Sequence, residues 1–425
     1  MIERKAIIDY IKREKKFSGI ERELKISPIK GKITSIIGPR RSGKTFYLLY
    51  LLNSKYQEAL YLNFELFFLK NLSPNEFFEI IKLHNEIKGY TPKVLLLDEI
   101  QEVNEWQSLL RTLLDYGYEI VVTGSSSKLL SREIATQLRG RSISYLLLPF
   151  SFREFLKAKN FEPEKFLTFE ERGKILRLLR EYLDFGGFPE VVLSEDRFQK
   201  EKLLKTYFDE IFLKDFVERH KIKSIEFGRL LFEFMFQNFS KEISIKNIQR
   251  YLEKRIPFSK KTIYSYLENI KDTISVFFLD RFSLSVYARK SWPKKVYIAD
   301  IGTSLPLGFS GDIGKRMENV VFLELLRKTN EKPLMETFYW KDYQGKEVDF
   351  VIKKGLKIKQ LIQVTYANAK DEIKDREVKG LVKASELLRC KDLVCITWDF
   401  EGEEEVKGKK IKFLPLWKWL LGFTV

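Results

Sequence analysis

A short segment near the N-terminus has the residue types that bind phosphate groups. Residues 38–45 follow an apolar, β-branched run and precede a helical pattern, which is the context that a phosphate-binding loop requires. Glycine permits the turn that lets backbone N–H groups wrap a triphosphate, and the next helix N-terminus adds positive potential. Lys44 is expected to reach the β- and γ-phosphates of ATP, and Thr45 to bind Mg²⁺. The residues predicted to bind the nucleotide are Gly38, Pro39, Arg40, Arg41, Ser42, Gly43, Lys44 and Thr45.

Two acidic residues follow a second apolar run. Residues 94–97 are Val-Leu-Leu-Leu, and Asp98 and Glu99 come directly after them. Carboxylates at the end of a buried strand are costly unless they hold a cation or polarise a water molecule. We therefore expect Asp98 to lie in the magnesium shell and Glu99 to act as the base that orients the attacking water. The pair predicts hydrolysis of ATP, not binding alone.

Two further groups are candidates for contacts with the γ-phosphate. Ser125 follows the apolar run 120–122, and its hydroxyl is placed to sense that phosphate from the side opposite Lys44; the alternative is a turn with a helix cap. Arg139 and Arg141 flank Gly140, and Arg141 is the candidate arginine finger. Surface arginines are the alternative, because the chain is rich in basic residues.

The spacing of apolar runs predicts the elements that position these groups. Short apolar runs at 31–37, 59–64, 94–97 and 120–122 read as strands separated by helical patterns, and residues 1–30 read as helical and charged. Alternating strands and helices predict a parallel sheet covered on both faces. A helical, strongly charged stretch from about 149 to 187 predicts a lid-like helical subdomain. The fold class expected is therefore an α/β multidomain protein with a P-loop NTPase sheet.

The segment 241–290 is strongly basic and predicts a DNA-binding module. It holds eleven Lys or Arg and five Asp or Glu, within a chain of net charge +17. Two short helical patterns lie inside it, the second capped by Ser259, which indicates a helix-turn-helix of the winged kind. Four residues of the second helix are expected to meet phosphates and base edges: Lys260, Lys261, Thr262 and Tyr264. The alternative is a winged helix used for protein contact.

The order of several motifs resembles a known family. Besides the loop 38–45, these are residues 95–101 with Trp106, and the segments 123–126, 138–141, 149–155 and 186–190. Together they look like the prokaryotic AAA-type ATPases of the archaeal-ATPase kind, over nearly the whole chain. Members of that group carry a C-terminal winged helix and a nuclease-like domain of unknown function. The resemblance implies an ATP-dependent P-loop core.

The resemblance also implies a restriction-endonuclease-like fold for the C-terminal region. In that fold a helix acid, a strand Asp and an acid-x-Lys pair surround a metal ion; here Glu318 and Asp349 match the first two. The third motif departs, because Gln363 and Thr365 stand where an acid and a lysine are expected. One neutral amide oxygen and a threonine replace neither the second acid nor the positive charge. We predict a degenerate site without nuclease activity, unless Lys353, Lys354 or Lys359 supplies the missing charge.

Composition excludes several other classes of protein. Only two cysteines and two histidines are present, which argues against a disulfide framework, structural zinc and His-dependent nucleophilic catalysis. No run of about 18 apolar residues exists and the N-terminus lacks a signal-peptide core, so no membrane association and a cytoplasmic location are expected. The excess of basic residues favours a polyanionic partner.

A chain of 425 residues predicts about two to four domains. We expect a P-loop ATPase core at 1–150, a helical lid at 151–235, a winged helix at 236–305 and the degenerate nuclease-like domain at 306–425. The function predicted is Mg²⁺-dependent ATP hydrolysis coupled to binding of double-stranded DNA. The alternative is a nucleotide-dependent switch or scaffold that recruits a protein partner without DNA; a homo-oligomer is compatible with both.

Overall fold

A computed structural model describes residues 4–124, 140–164, 167–252, 258–308 and 311–423. Ser125 and Arg139 lie outside the described residues. The chain divides into two compact units, Met1–Leu148 and Pro149–Val425. No helix in the described ranges is long and apolar enough to cross a bilayer.

The first unit is built around a parallel sheet. Within the described residues its strands lie in the order β2-β3-β4-β1-β5, and every neighbouring pair is parallel. The strands are β1 Ile33–Ile37, β2 Leu60–Asn63, β3 Val94–Asp98, β4 Glu119–Gly124 and β5 Ser142–Leu146. The helices are α1 Arg4–Lys12, α2 Lys44–Ser54, α3 Pro74–Lys88 and α4 Trp106–Asp115. The predicted α/β fold with a parallel P-loop sheet is therefore confirmed.

Two parts of this unit differ from expectation. The edge strand β5 was not predicted, because its sequence Ser-Ile-Ser-Tyr-Leu lacks an apolar run and all five residues are only half-buried. The helix expected over residues 1–30 ends at Lys12. The chain that follows is held by tertiary contacts instead: Tyr47 donates a hydrogen bond to the carbonyl of Leu24 at 2.7 Å.

The second unit begins with helices packed through aromatic side chains. They are α5 Phe152–Ala158, α6 Phe169–Phe185, α7 Pro189–Leu193, α8 Arg197–Glu210 with its π-helical continuation Ile211–Glu218, and α9 Ile225–Gln237. Capping boxes begin α5 at Ser151 and α6 at Thr168, as expected for sequences with Glu three residues later. Phe208, Phe212 and Phe232 form a buried ring cluster with centroid distances of 5.4–5.6 Å.

A small antiparallel sheet follows these helices. Its strands are ordered β6-β8-β7, and two helices stand between β6 and β7. The elements in chain order are β6 Lys241–Ile243, α10 Ile245–Leu252, α11 Lys260–Asp272, β7 Val276–Leu279, α12 Val286–Ser291 and β8 Lys294–Ile298. Ser259 caps α11 by accepting a hydrogen bond from the backbone N–H of Thr262 at 3.1 Å, as its sequence predicts.

The C-terminal part of this unit contains a mixed sheet of order β13-β14-β12-β11-β10-β9. The elements are α13 Ile313–Glu331, β9 Met335–Lys341, β10 Glu347–Lys354, β11 Lys357–Val364, α14 Asp375–Leu388, β12 Leu393–Thr397, β13 Gly402–Val406, β14 Lys409–Pro415 and α15 Leu416–Leu421. Cys390 and Cys395 are buried free thiols. The hairpin β13–β14 was not predicted, because Glu and Lys dominate its sequence and the apolar signal is weak.

The turn after α6 is held by a buried aspartate. Asp300 accepts hydrogen bonds from the backbone N–H groups of Gly187 at 2.6 Å and Gly302 at 2.9 Å. Gly186 has a φ of 77°, and a Cβ there would lie 1.8 Å from an Asp300 carboxylate oxygen. The Gly-Gly-Phe-Pro turn therefore needs glycine at this position both for its backbone conformation and for space.

Gly186→Ala is expected to destabilise the second unit by about 3 kcal/mol, because the new methyl group meets Asp300 in a left-handed backbone conformation. Gly173→Ala is the control: Gly173 lies inside α6 with only the end of Arg177 near its added Cβ, so a slight stabilisation is expected. Urea unfolding followed by tryptophan fluorescence measures both. Equal stability of the two variants would contradict the role given to Gly186.

Candidate functional site

The loop between β1 and α2 approaches the neighbouring backbone very closely. A Cβ on Gly38 would lie 2.1 Å from the carbonyl oxygen of Leu147, and Gly43 has a φ of 92°. Arg40 is half-buried and Arg41 is exposed on the same loop. Both glycines are therefore required by the backbone path of the loop.

A buried arginine outside the motif supports the loop. The guanidinium of Arg22 donates hydrogen bonds to the carbonyl of Ser42 at 2.8 Å and to that of Leu148 at 2.6 Å. It thereby ties the loop backbone to the chain leaving β5. Sequence reasoning missed Arg22, because it lies in a charged segment where nothing distinguishes it from surface arginines.

Lys44 lies at the centre of the loop and is 5% exposed. Its ammonium donates to the carbonyls of Gly38 at 3.3 Å and Pro39 at 3.1 Å, and lies 4.0 Å from a Glu99 oxygen. The Ser42 hydroxyl is buried without a hydrogen-bond partner among the described residues. A buried cation and an unsatisfied hydroxyl inside a glycine loop fit the phosphate groups of a nucleotide.

The residues predicted to bind Mg²⁺ contact each other. Asp98 is fully buried at the end of β3 and accepts hydrogen bonds from the hydroxyls of Thr45, Thr123 and Tyr61, the last at 3.2 Å. Burial raises the pKa of the Asp98 carboxyl, and the hydrogen bond from Thr123 opposes that rise. A carboxylate so deeply buried is stabilised by a cation, so Asp98 and Thr45 fit a magnesium site.

Glu99 is fixed by its neighbours in an unusual backbone conformation. Its φ is 51°, its backbone N–H donates to the Thr123 hydroxyl at 3.1 Å, and its carboxylate accepts a hydrogen bond from the Gln101 amide. A non-glycine residue in the left-handed region stores strain and is found at functional sites more often than elsewhere. The structure thus brings Glu99 beside Lys44 and Asp98, as predicted for a base next to the phosphates.

Arg141 lies at the wrong edge of the sheet for the predicted role. Its carbonyl accepts a hydrogen bond from Ile33 at the start of β1, whereas the phosphate loop follows the other end of that strand, about 16 Å away for five residues. Its guanidinium pairs with Asp115 at 2.6 Å. Within its own chain Arg141 therefore lies away from the phosphate loop, and its action as an arginine finger stays a prediction. Ser125 lies outside the described residues.

The four predicted DNA-contacting residues lie in the first turns of α11. Lys260, Lys261 and Tyr264 are exposed, and Thr262 is half-buried with its hydroxyl 2.8 Å from that of Ser259. Neither lysine makes an ion pair with a described residue. The first turns of this helix therefore present two exposed cations.

The C-terminal acids meet around a lysine that sequence reasoning missed. Glu318 of α13 and Asp349 of β10 contact the ammonium of Lys295 at 2.9 and 2.8 Å, and Glu347 contacts it at 2.6 Å. Gln363 lies beside them and accepts a hydrogen bond from the Asp349 backbone N–H at 3.3 Å. These residues are called the acidic cluster below.

Lys295 comes from β8, outside the nuclease-like segment, so no spacing rule within that segment indicates it. Lys353, considered as a source of the missing charge, pairs with Glu336 instead. Lys295 is 2% exposed and occupies the centre of the acidic cluster. Among the described residues, no group of three or more His, Cys, Asp or Glu side chains is arranged to hold a metal ion.

The acidic cluster has more carboxylates than cations, which favours the protonated form of Glu318. Burial, reinforced by the charge of Asp349, raises the pKa of Glu318 to about 8. The hydroxyl of Tyr297 contacts the same carboxyl at 2.7 Å. A protonated Glu318 leaves Lys295 to neutralise the remaining charges together with Lys341, which lies 3.4 Å from Glu347.

Glu318→Gln is expected to flatten the pH dependence of the stability of the second unit. The folded chain holds the Glu318 proton more tightly than the unfolded chain, so wild-type unfolding free energy falls as pH rises from 4.5 to about 8. The slope is expected to be up to about 1.4 kcal/mol per pH unit, and the amide has no proton to lose. Asp300, whose pKa burial raises to about 7, is present in both proteins and cancels in the comparison. Urea unfolding at several pH values measures the unfolding free energy of both proteins. If this free energy depends on pH equally in the two proteins, the raised pKa of Glu318 is contradicted.

Comparisons with known sequences match nearly the whole chain. Three family models match successive segments: an AAA domain at 30–156, a domain of unknown function (DUF8612) at 176–308 and another (DUF4143) at 313–419. The uncharacterized protein MJ1544 of Methanocaldococcus jannaschii is 39% identical over 98% of this chain and 94% of its own length. An uncharacterized protein of Haemophilus influenzae is 29% identical over 91% of this chain and 94% of its length.

Solved structures with detectable similarity are distant. Cdc6p from Pyrobaculum aerophilum is 12% identical, over 68% of this chain and 88% of that chain, with a TM-score of 0.28. DnaA from Aquifex aeolicus, solved with AMPPCP, is 15% identical, over 56% of this chain and 81% of that chain, with a TM-score of 0.23.

The family assignment rests on the sequence matches. The AAA domain match spans the loop 38–45 together with Asp98 and Glu99, and the similarity to the Methanocaldococcus jannaschii protein extends over almost all of both chains. These findings confirm the resemblance noted from the motifs. The chain belongs to a family of AAA-type P-loop ATPases whose C-terminal part is a domain of unknown function.

Proposed function

We propose that the protein is a Mg²⁺-dependent ATPase whose nucleotide state is coupled to DNA binding. The observation that carries the ATPase proposal is the convergence of Lys44, Thr45, Asp98 and Glu99 at the carboxyl edge of the parallel sheet. The family match to an AAA domain supports it.

Each group has a separate part in the reaction. Lys44 and the loop N–H groups bind the phosphates, while Thr45 and Asp98 hold the magnesium ion. The ion, when bound, neutralises charge on the phosphate oxygens. Glu99 accepts a proton from the attacking water, and its orientation is kept by Gln101 and Thr123.

We infer that residues 236–305 form the DNA-binding module, between a helical lid at 151–235 and a nuclease-like domain at 306–425. The order strand, two helices, strand, short helix and strand, with the three strands in one antiparallel sheet, supports a winged helix. Lys260 and Lys261 on α11 are exposed and make no ion pair with any residue in the described ranges, which supports contact with phosphates.

A scaffold role without DNA is the second candidate, and one contact favours it. The connection between β7 and β8, which would be the wing, packs on the C-terminal sheet: Phe282 and Phe338 lie 5.6 Å apart, and the Phe282 N–H donates to the Tyr339 carbonyl at 2.6 Å. A wing engaged within its own chain is less available to DNA.

A titration with blunt duplex DNA at several salt concentrations separates the two candidates. Phosphate contacts release counterions, so affinity should fall linearly with salt on logarithmic axes, and Lys260→Ala should reduce the slope by about one. Lys391→Ala, which removes an exposed cation far along the chain, is the control and should leave the slope unchanged. Absence of salt-dependent binding would support the scaffold and overturn the DNA proposal.

A further inference from the structure

A cleft of about 530 Å³ lies beside the first turns of α11. Its walls come from α11 itself and from the chain between the π-helix and α9. The lining combines three lysines with three aromatic residues and several hydroxyl groups, and no acidic side chain lines it among the described residues. Its volume lies in the range of cavities that hold small organic ligands.

The lysines around the cleft have no carboxylate partner in the part of the chain that the structure describes. Lys221, Lys223 and Lys261 are exposed, and none makes an ion pair with a residue that the structure describes. Elsewhere in the same unit buried lysines are paired, as Lys200 is with Glu181 at 2.6 Å. Ammonium groups that line one cleft repel one another, and a phosphate group bound between them would relieve that repulsion.

The inner wall of the cleft is aromatic. The ring of Phe227 lies 5.1 Å from that of Phe258 and 5.3 Å from that of Tyr266, measured between centroids. The Tyr266 hydroxyl accepts a hydrogen bond from the Ser224 N–H at 3.2 Å, which fixes the wall. Nucleobases pack on aromatic side chains with little regard to sequence, at about 1–3 kcal/mol per base.

We propose that this cleft takes one unpaired nucleotide of a DNA strand. Its phosphate lies among Lys221, Lys223 and Lys261, and its base packs on the half-buried ring of Phe258, which the buried ring of Phe227 supports from behind. A paired base is stacked on both faces and cannot enter a cleft, whereas duplex phosphates are met by exposed groups outside it, such as Lys260. The inference rests on the proposed DNA function and adds a preference for DNA that contains an unpaired nucleotide.

The test compares two DNAs that differ by one extra nucleotide. Fluorescence anisotropy with the full-length protein measures the affinity for a blunt duplex and for the same duplex with a single-nucleotide bulge. The wild type is expected to bind the bulged DNA about tenfold more tightly, as one stacked base would give. Lys261→Ala and Ser265→Trp, which fills the cleft from an exposed position, should abolish this preference.

Lys271→Ala is the matched control, because Lys271 is an exposed lysine on α11 that does not line the cleft; it should keep the preference. Equal wild-type affinity for the two DNAs would overturn the inference and leave the DNA proposal standing. A preference that survives both Lys261→Ala and Ser265→Trp would also overturn it. No binding of either DNA would overturn both proposals.

Discussion

Glu99→Gln is expected to bind ATP as tightly as the wild type and to hydrolyse it at least about 100-fold more slowly. Glutamine keeps the size of the side chain but cannot accept the proton of the attacking water, and such proton transfers contribute about 10²–10⁴-fold to rates. Lys44 and the loop N–H groups, which hold the phosphates, are unchanged. Titration with a fluorescent ATP analogue and steady-state phosphate release measure the two effects separately.

Glu102→Gln is the matched control for this variant. Glu102 lies three residues further along the same turn, and its carboxylate pairs with Lys70 at 3.2 Å. It has no contact with Lys44 or Asp98 in the structure, so binding and turnover should both stay at the wild-type level. Equal turnover of Glu99→Gln and the wild type would sink the assignment of Glu99 as the base.

Lys295→Met is expected to destabilise the second unit by about 3–5 kcal/mol, because it leaves the buried carboxylate of Asp349 without its cation. Lys294→Met is the matched control: the neighbouring lysine pairs with Asp280 in a half-exposed position, where a pair contributes about 1 kcal/mol at most. Five of the six tryptophans lie in this unit, so fluorescence during urea unfolding reports mainly on it. They are Trp292, Trp340, Trp398, Trp417 and Trp419.

A triple variant shows whether charge is the cause. Adding Glu318→Gln and Asp349→Asn to Lys295→Met replaces both acids by neutral amides and so removes the Asp349 charge that the lysine neutralises, while Glu347 keeps Lys341 at 3.4 Å. Most of the lost stability should return. If the triple variant is no more stable than Lys295→Met alone, lost packing and not unpaired charge explains the effect.

Local patterns were enough to predict that the loop 38–45 and the two acids lie close together. The residues 38–45 form one continuous segment between a strand and a helix, and Asp98 and Glu99 follow a buried strand directly. Parallel strands bring their carboxyl ends to one edge of the sheet, so the two segments meet without any further information. Glu318 and Asp349 were predicted to lie near each other on a different ground, the resemblance to a known fold.

Contacts between distant segments could not be read in this way. Arg22 reaches Ser42 and Leu148, and Lys295 reaches carboxylates on other elements, yet neither position carries a local signal. The position of Arg141 away from the phosphate loop was not predicted for a related reason, since a sequence does not show at which edge of the sheet a loop residue lies. The edge at which Arg141 lies becomes clear only when the register of strand β5 with β1 is known.

The most direct test of the account is phosphate release from ATP by the purified full-length protein, with and without Mg²⁺, for the wild type and Lys44→Ala. The wild type should release phosphate only with Mg²⁺, and Lys44→Ala should neither bind the nucleotide measurably nor release phosphate, because Lys44 is the cation at the centre of the loop. Mg²⁺-dependent release that persists undiminished in Lys44→Ala, or a wild type that releases none, would contradict the claim that the loop 38–45 with Asp98 and Glu99 forms an ATPase site.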